Sequence, residues 1–270
     1  MLRKMSTRFV LIALCCGWGL ALADRPRVAI VIDDVGFQWQ LDQRAMALDP
    51  PVALAIIPEG PLAGDLARQA EQQNREVWVH LPMAGLVHDN CHSGLTCLDP
   101  GWSPQAMRDH LVRQLAMVPG AVGINNHQGS GFTSNANAVE RLVGAIGLIN
   151  AGRSSPLIVM DSRTVVSSQL ERLARNGGLK TLRRRVFLDH SEDAKDLLIA
   201  WRRLIALAHR EGQAIAIGHS RAATLDFLEL AIGELIAEGI DLVPPSALVE
   251  RAASAANAPR PSETAKTYVP

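Results

Sequence analysis

Short apolar runs alternate with amphipathic stretches along most of the chain, and this repeat restricts the fold more than any other feature. The apolar runs are rich in Val, Ile and Leu, which is typical of buried parallel strands. They are RVAIVI, VALAII, EVWVHL, AVGIN, LIVMD, RVFLD, AIAIG and IDLVP. Stretches with helical spacing, such as SPQAMRDHLVRQLAMV and SEDAKDLLIAWRRLIALAHREG, lie between most of them. The repeat predicts an α/β fold, either a (β/α) barrel or a doubly wound sheet.

Composition excludes some classes of function. The chain has 270 residues, of which 48% are hydrophobic, enough for one α/β domain with a sizeable core. The formal net charge is zero, so no basic surplus indicates a nucleic-acid partner. Aromatic residues make up only 4%, which argues against a carbohydrate platform built mainly from stacked rings.

The N-terminus has the three parts of a secretory signal peptide. The basic segment MLRKMSTR precedes the apolar segment FVLIALCCGWGLALA, and residues 21–23 form an A-x-A cleavage site. The apolar segment is short for a membrane span. We therefore expect a signal peptide at 1–23 and a secreted or periplasmic mature chain without a transmembrane span. The alternatives are an uncleaved anchor and a lipoprotein modified at Cys15.

The rest of the mature chain divides into a domain and a tail. We expect one domain over residues 24–251 and a disordered tail over 252–270, where the sequence becomes rich in Ala, Pro and Ser. After signal cleavage the remaining cysteines are Cys91 and Cys97. Because export oxidises thiols, they predict a disulfide that closes a short loop. The alternative is a metal cluster that includes His88 and His92.

Polar side chains that can bind metals end several of the predicted strands. In a parallel barrel the carboxyl ends of all strands lie on one face, which carries the active site. Histidine nitrogen and carboxylate oxygen together suit zinc or a similar divalent metal. The sequence therefore predicts a metal site built from the strand ends Asp33-Asp34, His80, Asn125-Asn126-His127, Asp161, Asp189-His190 and His219.

The adjacent carboxylates Asp33 and Asp34 need a special explanation. Successive side chains of a strand face opposite ways, so both serve one site only if the backbone turns there, and Gly36 is consistent with such a turn. A divalent cation would relieve the repulsion that otherwise raises the pKa of one carboxyl group. We expect one carboxylate to bind the metal and the other to lie near the substrate as a base.

These motifs together resemble a known family. The segments IDDVG, HLPM, GINNHQGS, MDSRT, FLDH and AIAIGHSR follow one another over residues 27–249. In this order they resemble the divergent polysaccharide deacetylases of the YibQ type, which are related to the NodB-like carbohydrate esterases. The resemblance implies a distorted (β/α)7 barrel with the NodB-like polysaccharide deacetylase fold. It also implies a metal-dependent hydrolase that acts on a glycan.

The resemblance assigns candidate metal ligands. Asp34 is similar to the metal-binding aspartate of the first motif, and His80 to the first histidine of the second motif. Four residues after His80, where ordinary members have a second histidine, this chain has Ala84. His127, at the end of the next predicted strand, is the expected substitute, and Zn²⁺ is the expected metal.

The resemblance also assigns catalytic roles. Asp33 is similar to the catalytic base and His219 to the general acid. Asp161 is similar to a strand-end aspartate that orients other catalytic groups, and Arg163 is a candidate partner for Asp33. Other readings stay open: Asp161 as a structural partner of Arg163, Asp189 and His190 as structural residues, and GHSR as an anion pocket that uses Ser220 and Arg221.

The sequence thus supports one main hypothesis on function. It predicts an exported, metal-dependent hydrolase that removes acetyl groups from the N-acetylated sugars of a polysaccharide. The alternative is a glycan-binding envelope protein that keeps the deacetylase barrel but has lost turnover, which the missing second histidine allows. A different metal hydrolase, such as a phosphoesterase, is a weaker alternative.

Overall fold

The computed structural model describes residues 25–86 and 95–249. Strands and helices alternate through most of these ranges, as the repeat predicted. The strands are β1 (Arg27–Val35), β2 (Ala53–Ile56), β3 (Val77–Met83), β4 (Gly123–Gln128), β5 (Ile158–Asp161), β6 (Thr181–Arg183), β7 (Val186–Phe187), β8 (Gln213–His219) and β9 (Asp241–Leu242). The helices are α1 (Trp39–Ala47), α2 (Ala63–Gln72), α3 (Pro104–Met117), α4 (Ser130–Ser134), α5 (Ala136–Asn150), α6 (Leu170–Asn176), α7 (Ala194–Glu211), α8 (Ala222–Ala231) and α9 (Glu234–Ala237).

The strands form one parallel sheet that curves into a distorted barrel. Their order is β6-β5-β4-β3-β2-β1-β8-β7, and the short β9 pairs with the start of β1. β6 pairs with β5, and after two linking residues β7 pairs with β8. The two short strands therefore occupy one position and complete a ring of seven. This arrangement confirms the distorted (β/α)7 barrel and explains the distortion, because residues 181–187 change partners in mid-strand.

Alternating strand residues separate two apolar layers. One set faces the helices and packs with them into the larger core. The other set fills the barrel interior, with Trp78 completely buried at its centre. The strand residues of this interior set are Ala29, Val31, Ala53, Ala55, Trp78, Ile158, Met160, Leu182, Ile215 and Ile217, and Leu248 from the segment after β9 packs with them. Residues further along the strands that continue this interior row lie at the carboxyl-end face of the barrel. Strand parity, the odd or even position of a residue along its strand, therefore decides which side chains point into a site there.

The loop after β1 is fixed by close backbone contacts. Gly36 has a φ of 129°, and its carbonyl oxygen lies 2.6 Å from the position that a Cβ on Gly60 would occupy. The buried Asp42 carboxylate accepts hydrogen bonds from the backbone N–H groups of Gly36 and Gln38, each at 3.0 Å. These contacts hold the turn that follows the carboxylate pair.

Several segments about which the sequence makes predictions lie outside the described ranges. The predicted signal peptide (1–23) and tail (252–270) lie outside the described residues, as does Cys91. Cys97 is disulfide-bonded.

Among the helices of residues 25–86 and 95–249, none has the length and apolar character needed to cross a membrane.

Gly60→Ala is expected to destabilise the protein because the new methyl group would meet the Gly36 backbone, which cannot move aside like a flexible side chain. We expect a loss of about 1–3 kcal/mol, measured as a lower Tm in thermal unfolding. The control is Gly144→Ala in α5, where a Cβ meets nothing within 4 Å and alanine favours the helix. Equal Tm values for the Gly60 variant and the unmodified protein would contradict this account of the loop.

Candidate metal and catalytic centre

The two adjacent aspartates are separated by a turn of the backbone. Asp33 lies on the interior face of β1, is buried, and pairs in register with His219 of β8. Asp34 has a φ of 62°, in the left-handed region that non-glycine residues seldom adopt. This turn lets its side chain join the same site, although strand parity alone would direct it to the helix layer. The turn that the sequence required is therefore present, and it lies at Asp34 itself.

Asp34 meets two histidines from the neighbouring strands β3 and β4. Its Oδ1 atom lies 3.1 Å from His80 Nε2 and 2.9 Å from His127 Nδ1. The three donor atoms all lie within 4.8 Å of one another. Ligand atoms about 2.1 Å from a shared tetrahedral zinc lie about 3.4 Å apart, so this set fits a divalent metal after only small shifts. One carboxylate and two imidazoles leave a fourth position open, as a catalytic site requires.

Asn125 connects the base candidate to the metal candidate, and the sequence reasoning did not assign it a role. Its amide nitrogen donates to Asp33 Oδ1 at 2.8 Å, and its amide oxygen accepts from His80 Nδ1 at 2.9 Å. Because His80 is held through Nδ1, Nε2 is the ring nitrogen that faces Asp34 and is available to bind a metal once it loses its proton. Asn125 is completely buried and sits opposite His80 in the β3–β4 register. One amide thus orients both groups.

The charges of this cluster stabilise one another. Burial disfavours a proton on His80, but the charges of Asp33 and Asp34 outweigh it and raise the His80 pKa to about 9. Burial would raise the pKa of Asp34, but hydrogen bonds from His127 and His80 lower it well below its ordinary value. Asp33 differs, because burial dominates there and raises the pKa of its carboxyl group. The two aspartates are therefore electrostatically distinct.

His219 is anchored by Asp189. His219 Nδ1 donates to Asp189 Oδ1 at 2.8 Å, and the other carboxylate oxygen accepts from the His219 backbone N–H at 2.7 Å and from Thr224 Oγ1 at 2.6 Å. Burial opposes a proton on the imidazole, but these bonds to Asp189 raise the His219 pKa. The Nε2 atom lies 4.0 Å from Asp34 Oδ2, so it faces the metal candidate. Asp189 is thus the carboxylate partner of His219, whereas the sequence had left open a purely structural role for it. His190 is exposed.

Asp161 and Arg163 are not brought to Asp33. Asp161 lies on the same face of β5 as Val159, which packs against the helices. Its carboxylate accepts hydrogen bonds from the Arg163 backbone N–H and from Ser168 Oγ, both at 2.8 Å. The Arg163 guanidinium donates to Val166 O at 3.1 Å. Among the described residues there is no ion pair or hydrogen bond between Arg163 and Asp33. Asp161 therefore organises the loop after β5, as the structural alternative proposed, and the expected Arg163–Asp33 pairing is absent.

The residues after His219 do not form the anion pocket that GHSR suggested. The Ser220 hydroxyl donates to Asp42 Oδ1 at 3.1 Å. The Arg221 guanidinium donates to Asp189 O at 3.3 Å and lies 3.6 Å from a Glu192 carboxylate oxygen. Both side chains therefore stabilise the strand-end loops.

The family can now be assigned from the sequence as a whole. The sequence model described as divergent polysaccharide deacetylase matches residues 30–249. The chain belongs to this family. The match covers all the strand ends described above and agrees with the barrel and its carboxyl-end cluster.

Two relatives and one solved structure are similar to this chain over most of its length. The uncharacterized protein YibQ of Escherichia coli K12 is 33% identical over 234 residues, which are 87% of this chain and 68% of the relative. An uncharacterized protein of Haemophilus influenzae is 32% identical over 217 residues, covering 80% and 74% of the two chains. A crystal structure of an uncharacterized protein from Agrobacterium tumefaciens C58 matches with a TM-score of 0.77 at 24% identity, covering 84% and 91%. This last likeness shows the fold.

Asn125→Leu is expected to weaken metal binding about 10- to 100-fold, because His80 loses the hydrogen bond that fixes its ring. Metal affinity is measured by competition with a chromophoric chelator. The matched control is Asn137→Leu, at an exposed position of α5. Unchanged affinity in the folded Asn125 variant would show that this amide does not orient the ligand set.

Metal binding at neutral pH is expected to release protons. With a pKa of about 9, His80 is protonated at pH 7 in the metal-free protein, and it must lose that proton to bind a cation. Metal affinity should therefore increase as the pH rises from 7 towards 9. Calorimetric titration with Zn²⁺ in buffers of different ionisation enthalpy measures the protons released. A binding heat that is independent of the buffer would contradict the ligand role of His80.

Proposed function

We propose that this protein is an exported, metal-dependent hydrolase that removes acetyl groups from the N-acetylated sugars of a polysaccharide. The observation that carries the proposal is the arrangement of two acid–base groups beside one three-ligand cluster. Asp33 Oδ2 lies 3.7 Å from His80 Nε2, and His219 Nε2 lies 4.0 Å from Asp34 Oδ2. Family membership supports the choice of a deacetylation reaction.

The residues divide into holding and proton-transfer roles. A divalent ion held by Asp34, His80 and His127 would supply Lewis-acid polarisation of the acetyl carbonyl and increase the acidity of water, and zinc fits this donor set. Asp33 is the candidate general base. Burial raises the pKa of its carboxyl group, which makes it a stronger base, and Asn125 fixes its orientation.

His219 is the candidate general acid. Asp189 stabilises its imidazolium form and holds Nδ1, which leaves Nε2 free to give a proton to the departing amine. Asp33 and His219 come from adjacent, hydrogen-bonded strands. One group can therefore take a proton while the other gives one within a single site.

The rim of the site supports a sugar substrate. Phe37 and Trp39 lie three and five residues after Asp34, in the loop that follows β1 and at the start of α1, and are 47% and 53% exposed. Exposed aromatic rings beside a reactive centre offer flat apolar surfaces on which sugar rings pack. The signal-peptide pattern at residues 1–23 supports an extracytoplasmic substrate, in a secreted or periplasmic location.

Acetate release tests the proposal. The mature protein, loaded with Zn²⁺, is expected to release acetate from acetylated chito-oligosaccharides or peptidoglycan fragments. Asp33→Asn should reduce the rate by about 10²–10⁴-fold because it removes the base, while stoichiometric metal binding persists. Asp65→Asn, an exposed change on α2, is the matched control and should leave the rate unchanged.

Two results would overturn parts of the proposal. Acetate release that survives Asp33→Asn would remove Asp33 from the base role. Saturable glycan binding with bound metal, but without acetate release from either substrate, would instead support the glycan-binding alternative that lacks turnover.

A further inference from the structure

Four arginines line one concavity on the rim of the barrel. The concavity has a volume of about 360 Å³ and lies where β5 ends and the chain passes from β6 to β7. Its volume falls within the range of about 300–1,000 Å³ that is usual for small-molecule sites. It is lined by Arg163, Val166, Arg183, Arg184 and Arg185.

Only half of this positive charge is neutralised. Arg183 lies 3.3 Å from Glu171, and Arg185 forms an ion pair with Glu211. Within residues 25–86 and 95–249, neither Arg163 nor Arg184 has a carboxylate oxygen within 4.0 Å. The concavity therefore carries two guanidinium groups that no described acidic side chain pairs with.

The two unpaired arginines are held in position. Arg184 donates from Nε to Ser162 O at 2.5 Å and from Nη2 to Arg163 O at 2.7 Å, and its guanidinium lies 4.6 Å from the centre of the Phe187 ring. Arg163 has a φ of 52°, stabilised by the bond from its backbone N–H to Asp161. Strained backbone of this kind is concentrated at functional sites. The Arg184 guanidinium is thus held by three contacts, and the Arg163 guanidinium by one bond to Val166 O.

The concavity borders the candidate catalytic centre. The Asn125 amide nitrogen that donates to Asp33 also lies 3.3 Å from Ser162 Oγ. Ser162 immediately precedes Arg163, and its carbonyl oxygen accepts the Arg184 bond. One hydrogen-bonded chain therefore connects the base candidate to the arginines.

We propose that this arginine concavity is a subsite for an anionic group of the glycan, a carboxylate or a phosphate, carried by a sugar near the one that reacts. The inference rests on the proposed function and deepens it, because it names the substrate as an acidic N-acetylated glycan. The planar fork of a guanidinium matches the paired oxygens of both groups. A neutral glycan would leave the two guanidinium charges without an anionic partner.

Binding to three defined oligosaccharides tests the subsite. The probes are neutral N-acetylated chitotetraose, its 6-phosphorylated form, and a tetrasaccharide of alternating glucuronic acid and N-acetylglucosamine. Affinities are measured by calorimetry at low and high KCl, with Zn²⁺-loaded and metal-free protein. We expect at least one anionic probe to bind about tenfold more tightly than the neutral one at low salt. This advantage should shrink at high salt, and comparison of the two anionic probes distinguishes carboxylate from phosphate.

Variants assign the effect to the concavity. Arg163→Met should remove most of the preference for the anionic probe. Arg172→Met removes the same charge from an exposed position of α6, and it should retain the preference. Arg184→Lys keeps the charge but loses the planar fork of the guanidinium, and it should also reduce the preference for the anionic probe. This variant provides the test if the melting curve of the Arg163 variant shows that it does not fold.

The results separate this inference from the proposed activity. Equal affinity for the neutral and both anionic probes, or an equal loss in the Arg163 and Arg172 variants, would overturn the subsite. An Arg163-dependent preference without acetate release would support the subsite and overturn the activity. Acetate release with the same preference in the Arg163 variant as in the unmodified protein would support the activity and overturn the subsite.

Discussion

The left-handed turn at Asp34 is the constraint on which the rest of the site depends. Strand parity would send Asp33 and Asp34 to opposite faces of β1, so two adjacent carboxylates would serve one centre only after a reversal. The φ of 62° at Asp34 provides this reversal of the side-chain direction. The Gly36–Gly60 contact and the Asp42 carboxylate hold the loop that follows. Such a conformation costs about 1–3 kcal/mol and persists only where the surroundings determine it. Here those surroundings include two histidines whose hydrogen bonds reach Asp34.

The same turn separates the chemistry of the two carboxyl groups. Asp33 stays in the interior layer of the barrel, where loss of water governs its pKa and an amide governs its orientation. Asp34 leaves that layer and becomes the acceptor for two imidazoles, which keep it ionised. A base candidate and a metal-ligand candidate thus arise from neighbouring positions of one strand. The division needs no other acidic residue within the cluster.

The repeat of apolar and amphipathic segments was sufficient to predict the fold class, because strand and helix periods are local properties of the sequence. The convergence of Asp33, Asp34, His80, His127 and His219 was also predictable, since parallel strands place their carboxyl ends on one face. The pairing of Arg163 with Asp33 was predicted wrongly, and parity could have corrected it, because Asp161 continues the row of Val159 towards the helices. The roles of Asn125 and Asp189 depend on the β3–β4 and β7–β8 registers and on the reach of individual side chains, which no local pattern specifies.

The positive and negative charges around the candidate centre are unevenly distributed. The buried cluster combines two aspartates with two histidines, and a bound divalent cation would balance the two carboxylates once the histidines are neutral. The arginine concavity adds fixed positive charge beside this cluster and is joined to it through Asn125 and Ser162. A neutral substrate would gain little from this field, whereas an acidic glycan would be attracted to the rim and oriented by the two unpaired guanidinium groups. Under the proposed function, this distribution of charge would restrict the substrate class more tightly than the candidate catalytic residues do, because the acetamide on which those residues would act is common to every N-acetylated sugar.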